Sequence, residues 1–240
     1  ILILFGYAAI ASLLPIWVLL QPRAYINAVQ LFVGLILVYT AIFIASPTIV
    51  APAINLDIPA GTPPLLPLLF VTIACGAISG FHGLVGSGTT SKQLNRETDA
   101  RFVGYLGSTG EGVLALAAII ATTAGFASLG EWRAIYTNFE GGGLTAFVQG
   151  GATIVSDGSG LPHETAATLL TVMAVLFAGT TMDTGVRLQR YIVQEWGTIY
   201  GISGLRNSYV ATFVAVAACL TLAFGAGGAD LTGGMVLWPL

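Results

Sequence analysis

The chain has 240 residues, of which 55% are hydrophobic and only 8% are charged, with a formal net charge of −3. Soluble domains carry about 25% charged residues, so this composition excludes an ordinary water-soluble domain. The eight basic residues form no dense run, which argues against a nucleic-acid-binding protein. We therefore expect a protein whose main solvent is the lipid bilayer.

Apolar stretches near the ~20 residues that cross a bilayer occur six times, and a possible seventh begins near the end. The predicted spans are residues 2–20, 28–46, 64–81, 102–126, 165–186 and 207–227. The predicted fold class is therefore all-α, a polytopic transmembrane helical bundle. Residues 127–164 are predicted to form a glycine-rich loop outside the cytoplasm. We expect residues 1–240 to be one transmembrane domain and a fragment of a longer protein, because the chain begins with Ile1, has no basic segment before the first apolar stretch and ends abruptly in "MVLWPL".

The basic residues support this order of spans. Alternate threading through a membrane leaves only Arg133 on one side. The other side receives Arg23, Lys92, Arg96, Arg101, Arg187, Arg190 and Arg206. Because loops rich in Lys and Arg stay in the cytoplasm, residues 88–101 and 187–206 are predicted to be cytoplasmic.

Five glycines occur within the thirteen residues from Gly76 to Gly88. Glycine at this density interrupts a membrane helix, and the freed backbone groups must then line a cavity or be covered by protein. We predict that residues 79–90 are partly non-helical and line a solute path. The candidate residues there are Ser79, Gly80, His82, Gly83, Ser87, Gly88, Thr89 and Thr90. The alternative is that the glycines permit close helix packing and the hydroxyls bond back to their own backbone.

The stretch "ACGAISGFHGLVGSGTTSKQLNRETDARFVGY" resembles the signature of the carbon starvation protein A family. The likeness continues in "LPIWVLLQPRAYIN", "DTGVRLQRYIVQE" and "GGMVLWPL", so it covers essentially the whole chain. The resemblance implies a carrier of the bacterial inner membrane with an amino acid/polyamine/organocation-type (LeuT-like) fold. It further implies proton-coupled import of peptides or pyruvate during carbon starvation. The implied partners are the bilayer, the solute and protons, without a cofactor.

Glu111 lies inside the fourth predicted span, where an ionised carboxylate is costly. Small residues recur at three- and four-residue steps around it, at Gly104, Gly107, Ala115, Ala118, Thr122 and Gly125. We therefore expect Glu111 to face the bundle and to carry the coupled proton, with His82 as its titrating partner. A structural glutamate that is hydrogen-bonded to a neighbouring helix is the alternative.

Asp183 is a third candidate for proton coupling, suggested by the family resemblance of "DTGVR". The small-residue stripe of its span is Ala167, Thr171, Ala174, Ala178, Thr181 and Gly185. Asp183 projects nearly opposite that stripe, and Arg187 follows four residues later, so an interfacial ion pair between these two residues explains it equally well. A break at Gly179 or Gly185 would instead re-aim the carboxylate into the bundle.

Three classes of function were compared. A membrane-embedded enzyme needs a nucleophile with a base, or a metal cluster, and the two histidines and two cysteines form neither at suitable spacing. We therefore expect no enzymatic activity, metal site or cofactor. A secondary transporter explains the glycine-rich break, the intramembrane carboxylate and the resemblance together. A non-transporting sensor or a channel subunit is the alternative, and concentrative uptake of a solute distinguishes the two.

Overall fold

The computed structural model describes residues 2–55, 66, 70, 80–137 and 143–227. All regular secondary structure in these residues is helical, which confirms the predicted all-α class. In chain order the α-helices are α1 (Leu2–Leu13), α2 (Leu20–Ala45), α3 (Gly80–Gly88), α4 (Glu97–Ala124), α5 (Leu129–Ile135), α6 (Gly143–Ser159), α7 (His163–Ile199) and α8 (Ser208–Gly227). Short 3₁₀ turns occupy Thr90–Lys92 and Ser203–Arg206.

Four of the described helices, α2, α4, α7 and α8, are long and apolar enough to cross a membrane. They correspond to the predicted spans 28–46, 102–126, 165–186 and 207–227, with shifted ends. The predicted span 64–81 lies almost entirely outside the described residues. The first predicted span is a shorter helix, because α1 ends at Leu13, two residues before Pro15. A proline disfavours helical geometry in the residue before it, so the helix stops there.

α7 is much longer than predicted. Its 37 residues extend for about 55 Å at 1.5 Å per residue, whereas the hydrocarbon core of a bilayer is about 30 Å thick. The predicted span ends at residue 186 because charged residues begin at Arg187 and lower the hydropathy. Charge ends a hydrophobic stretch but does not end a helix, and α7 continues to Ile199.

The segment predicted to be a loop, residues 127–164, contains helices α5 and α6 and the start of α7. Ser128 begins α5, because its Oγ accepts a hydrogen bond from the Glu131 backbone N–H at 3.2 Å. α6 packs closely on α4, and a Cβ on Gly150 would collide with the backbone carbonyl of Ala121. Gly150, Gly151 and Gly158 of α6 therefore permit close helix packing, which a loop assignment did not foresee. The side of the membrane on which it lies stays a prediction.

The chain divides into two compact units. The first consists of Ile1–Tyr25, Pro63–Leu94 and Ala178–Leu240, and the second of Ile26–Thr62 and Asn95–Phe177. The second unit holds an apolar core of Val38, Ala41, Ala117, Ala152, Ile154, Val155, Ala166, Leu170 and Met173. The first unit holds buried charged side chains, and these form the candidate site.

Candidate functional site

An ion pair joins α2 and α7 inside the first unit. Arg23 donates from Nη1 to Oδ2 of Asp183 at 2.5 Å, and the two side chains are only 19% and 4% exposed. The hydroxyl of Tyr7 on α1 donates to the same carboxylate oxygen at 3.2 Å and accepts from Arg23 Nη1 at 2.8 Å. The three groups therefore link three helices through one carboxylate. A charged hydrogen bond of this kind is stronger than a neutral one because both partners are ionised.

Arg187 and Arg190 extend from the same half of α7 to the end of α1. Arg187 Nη2 donates to the carbonyl of Ala11 at 2.6 Å, and Arg190 Nη1 donates to the carbonyl of Ser12 at 2.5 Å. The last carbonyls of a helix have no partner within it and carry partial negative charge, so cations are stabilised there. Both arginines are buried in spite of their charge.

The end of the glycine-rich stretch lies against this part of α7. A Cβ on Gly88 would lie 2.8 Å from Cδ2 of Leu188, so the two helices approach closely only because this residue is glycine. Thr89, which follows, is buried. The Lys92 ammonium then lies 5.0 Å from the centroid of the Tyr191 ring. The predicted path residue Gly88 thus lies against Leu188, the residue that follows the buried Arg187.

We call Arg23, Asp183, Arg187 and Arg190 the arginine cluster. It contains three guanidinium groups and one carboxylate, and Asp183 accepts hydrogen bonds from Arg23 and Tyr7. Within the described residues, several buried polar atoms of the cluster and of two further side chains, Ser12 and Thr89, lack a hydrogen-bond partner. These atoms are Ser12 Oγ, Thr89 Oγ1, Asp183 Oδ1, Arg187 Nε and Arg190 Nε. The same ranges contain no group of three or more His, Cys, Asp or Glu side chains able to hold a metal ion.

The ion-pair partner expected for Asp183 was wrong, and the buried face of α7 is the one that carries Asp183 and not the small-residue stripe. The ion pair that it forms is with Arg23 of α2, not with Arg187. Asp183 is buried, whereas Ala178 and Thr181 of the predicted stripe are exposed. The buried face carries Asp183, Arg187 and Arg190, which follow one another at steps of four and three residues and so share one side of a helix. That spacing was the available signal, but the assumed helix end at residue 186 concealed it.

Glu111 is exposed on α4. The buried positions of this helix are instead Ala117, Ala121 and Ala124. The predicted stripe is displaced from this buried face, because Ala115 is exposed and Thr122 is only partly buried, with its hydroxyl bonded to the Ala118 carbonyl. Glu111 therefore lies off this buried face, and its role in proton coupling stays a prediction.

The glycine-rich stretch is helical without interruption from Gly80 to Gly88. The expected break occurs later, at Thr89, after which the chain forms a 3₁₀ turn starting at Thr90. The Ser87 hydroxyl donates to the Gly83 carbonyl at 2.9 Å, as the packing alternative anticipated. His82 and Gly83 are exposed, and Ser79 lies outside the described residues.

Comparison with known proteins gives the same family along the entire chain. Residues 1–128 and 126–240 match the family described as Carbon starvation protein CstA. The peptide transporter CstA of Helicobacter pylori strain J99 is 33% identical over 98% of the chain, which covers 41% of that protein. The peptide transporter CstA of Escherichia coli K12 is 31% identical over 99% of the chain, which covers 42% of that protein.

A further relative carries a different name. The pyruvate/proton symporter BtsT of Escherichia coli K12 is 44% identical over 50% of the chain, which covers 17% of that protein. The chain thus spans about two fifths of the length of the peptide transporters that it matches. No solved structure matches it significantly. Because the family match extends over both units, the chain belongs to the carbon starvation protein CstA family.

Proposed function

We propose that this chain is part of a secondary active transporter that imports a peptide or pyruvate with protons across the bacterial inner membrane during carbon starvation. The observation that carries the proposal is the similarity of almost the whole chain to proteins named as peptide transporters. The more similar half-length match to a pyruvate/proton symporter supports proton coupling. Four helices able to cross a membrane support the location.

The proposed solute path includes the stretch from Ser79 to Thr90. Its described end supports this role, because Gly88 and Thr89 lie beside the part of α7 that carries the arginine cluster. Buried ionisable groups in a membrane protein usually mark a solute or ion pathway, since they are too costly to be retained for packing alone. The hydroxyl of Thr89 and the backbone at Gly88 are the groups that we propose contact the solute.

Proton coupling is proposed first for Glu111, and His82 of the other unit is a further candidate for carrying a proton. A carboxylate is able to alternate between charged and neutral forms when its surroundings alternate between wet and dry. Asp183 is the second candidate, because protonation of its carboxylate would remove the counter-charge of Arg23 and loosen the link between α2 and α7. In both cases the change in charge would bias the carrier towards one of its two orientations.

The test is solute accumulation in proteoliposomes that contain the full-length gene product. Labelled pyruvate and labelled dialanine are offered separately under an imposed pH gradient, acidic outside. We expect one of them to accumulate above its external concentration and to leave again when a protonophore is added. Equal levels in protein-containing and empty vesicles would refute the transporter proposal. Equilibration without accumulation would favour a channel, which is the alternative function.

A further inference from the structure

The arginine cluster carries more positive charge than its own carboxylate balances. Asp183 is hydrogen-bonded to Arg23 and Tyr7, and it attracts Arg187 only through space, so neither Arg187 nor Arg190 has a hydrogen-bonded carboxylate among the described residues. Their relative exposures are only 3% and 7%. The carbonyls of Ala11 and Ser12 and the hydroxyl of Tyr191 offer neutral partners to the two arginines. A buried cation that is matched only by neutral groups is much less stable than one matched by an anion.

Buried hydrogen-bond donors without partners occur on these arginines and on two other side chains of the same unit. Arg187 Nε and Arg190 Nε are buried without partners in the described chain, as are the hydroxyls of Ser12 and Thr89. The exposures of Ser12 and Thr89 are 0% and 3%. An ionised carboxylate accepts through about four lone-pair sites and pairs well with guanidinium groups. Four orphaned donors and an excess of positive charge therefore call for an anion of this chemistry.

A third cation strengthens this assignment. The Lys92 ammonium is 5.0 Å from the centroid of the Tyr191 ring, and the Arg190 guanidinium carbon is 4.8 Å from the same centroid. Two positive groups thus lie near the same aromatic ring, and both make the local electrostatic potential more positive, which favours an anion. Lys92 itself is exposed, so it extends the positive field from the buried arginines to the surface.

We propose that Arg187 and Arg190, assisted by the hydroxyls of Ser12 and Thr89, bind the carboxylate group that peptides and pyruvate have in common. The choice of solute rests on the proposed function, whereas the site rests on the charges and donors alone. Anionic lipid headgroups share the anionic-oxygen chemistry, and the experiment separates the two sources.

The first measurement compares ligands on the unaltered full-length gene product, purified into nanodiscs of zwitterionic phosphatidylcholine. Ligand-dependent shifts of the melting temperature report binding to the folded state. We expect pyruvate or dialanine to raise the melting temperature, and the uncharged-terminus counterparts pyruvamide and dialaninamide to require a roughly tenfold or higher concentration. Equal potency of acid and amide, or no shift with either acid, would overturn the site.

The second measurement removes one donor. Arg190→Gln should weaken the binding of the effective acid by roughly tenfold or more, because a charge-assisted contact is lost. The matched control is Arg101→Gln, which removes the same charge from an exposed position of α4 and should leave affinity unchanged. A folded Arg190→Gln protein with unaltered affinity would overturn the assignment. If that variant does not fold, the acid–amide comparison on the unaltered protein decides.

A third measurement changes the lipid and shows whether the bound anion is the solute or a lipid headgroup. Replacing part of the phosphatidylcholine with phosphatidylglycerol should leave the affinity for the acid within about twofold at moderate ionic strength, where surface potentials are screened beyond about 10 Å. Arg190-dependent stabilisation by phosphatidylglycerol with none by the acids would assign the site to lipid and overturn our proposal. Acid binding without accumulation in proteoliposomes would refute the transport function and leave the site standing. Accumulation without acid preference would refute the site alone.

Discussion

Replacing Asp183 with Asn should destabilise the first unit, because the Arg23 guanidinium then loses its counter-charge. The two charged groups are hydrogen-bonded at 2.5 Å, and their side chains are 19% and 4% exposed. Unit charges about 4 Å apart attract by about 4 kcal/mol at an effective dielectric constant of about 20. Breaking a buried pair costs about 3–5 kcal/mol. Since Arg23 keeps its hydrogen bond to the Tyr7 hydroxyl, we expect the lower end of this range, a loss of about 3 kcal/mol in the free energy of unfolding.

A double-mutant cycle isolates the pair itself. Arg23→Gln should cost a similar amount, but the double variant should cost about 2 kcal/mol less than the sum of the two, because no unpaired charge remains. Unfolding free energies are measured by titrating the purified protein with SDS in mixed micelles. Tyr7→Phe serves as the control for the hydroxyl contact and should cost about 1 kcal/mol. Additive effects within about 0.5 kcal/mol would refute a direct interaction between Arg23 and Asp183.

Three further predictions address packing, topology and coupling. Gly158→Ala should lower the unfolding free energy by about 1–3 kcal/mol, since a Cβ there would lie 2.5 Å from backbone atoms of α2, whereas Gly143→Ala, with open space around it, should not. Cysteines placed at the exposed positions Lys92 and Glu195 should react only with membrane-permeant thiol reagents, and ready labelling of both from outside would overturn the cytoplasmic assignment. Glu111→Gln should abolish proton-driven accumulation yet retain solute exchange, and unchanged pH-dependent accumulation would return Glu111 to a structural role.

Hydrophobicity predicted the helices but not their partners. The apolar stretches of α2, α4 and α8 were recognisable because lipid imposes a minimum length on a spanning helix. The contact between Tyr7 and Asp183 joins residues 176 positions apart, and no local pattern encodes such a pairing. The glycine-rich sequence of α6 was assigned to a loop because such a sequence is compatible both with a loop and with a closely packed helix.

Small-residue stripes were an unreliable guide to orientation for a related reason. On α7 the charged positions 183, 187 and 190 are buried while small residues such as Thr181 face outward. Small residues permit close approach of another helix, but they do not require it. A buried charge, in contrast, needs a partner and so fixes the orientation of the helix that carries it. Charge spacing was therefore the more informative pattern in this chain.

The length of α7 allows the depth of the arginine cluster across the bilayer to be worked out. If the helix enters the hydrocarbon at its first residue, His163, Asp183 lies about 30 Å further along and Arg190 about 40 Å along. These depths correspond to the far edge of the hydrocarbon and the headgroup region beyond it, where burying a guanidinium group costs less than at the centre. The excess of basic residues predicts that this edge faces the cytoplasm. A carboxylate held by Arg187 and Arg190 would therefore lie at the end of the path from which an importer releases its solute.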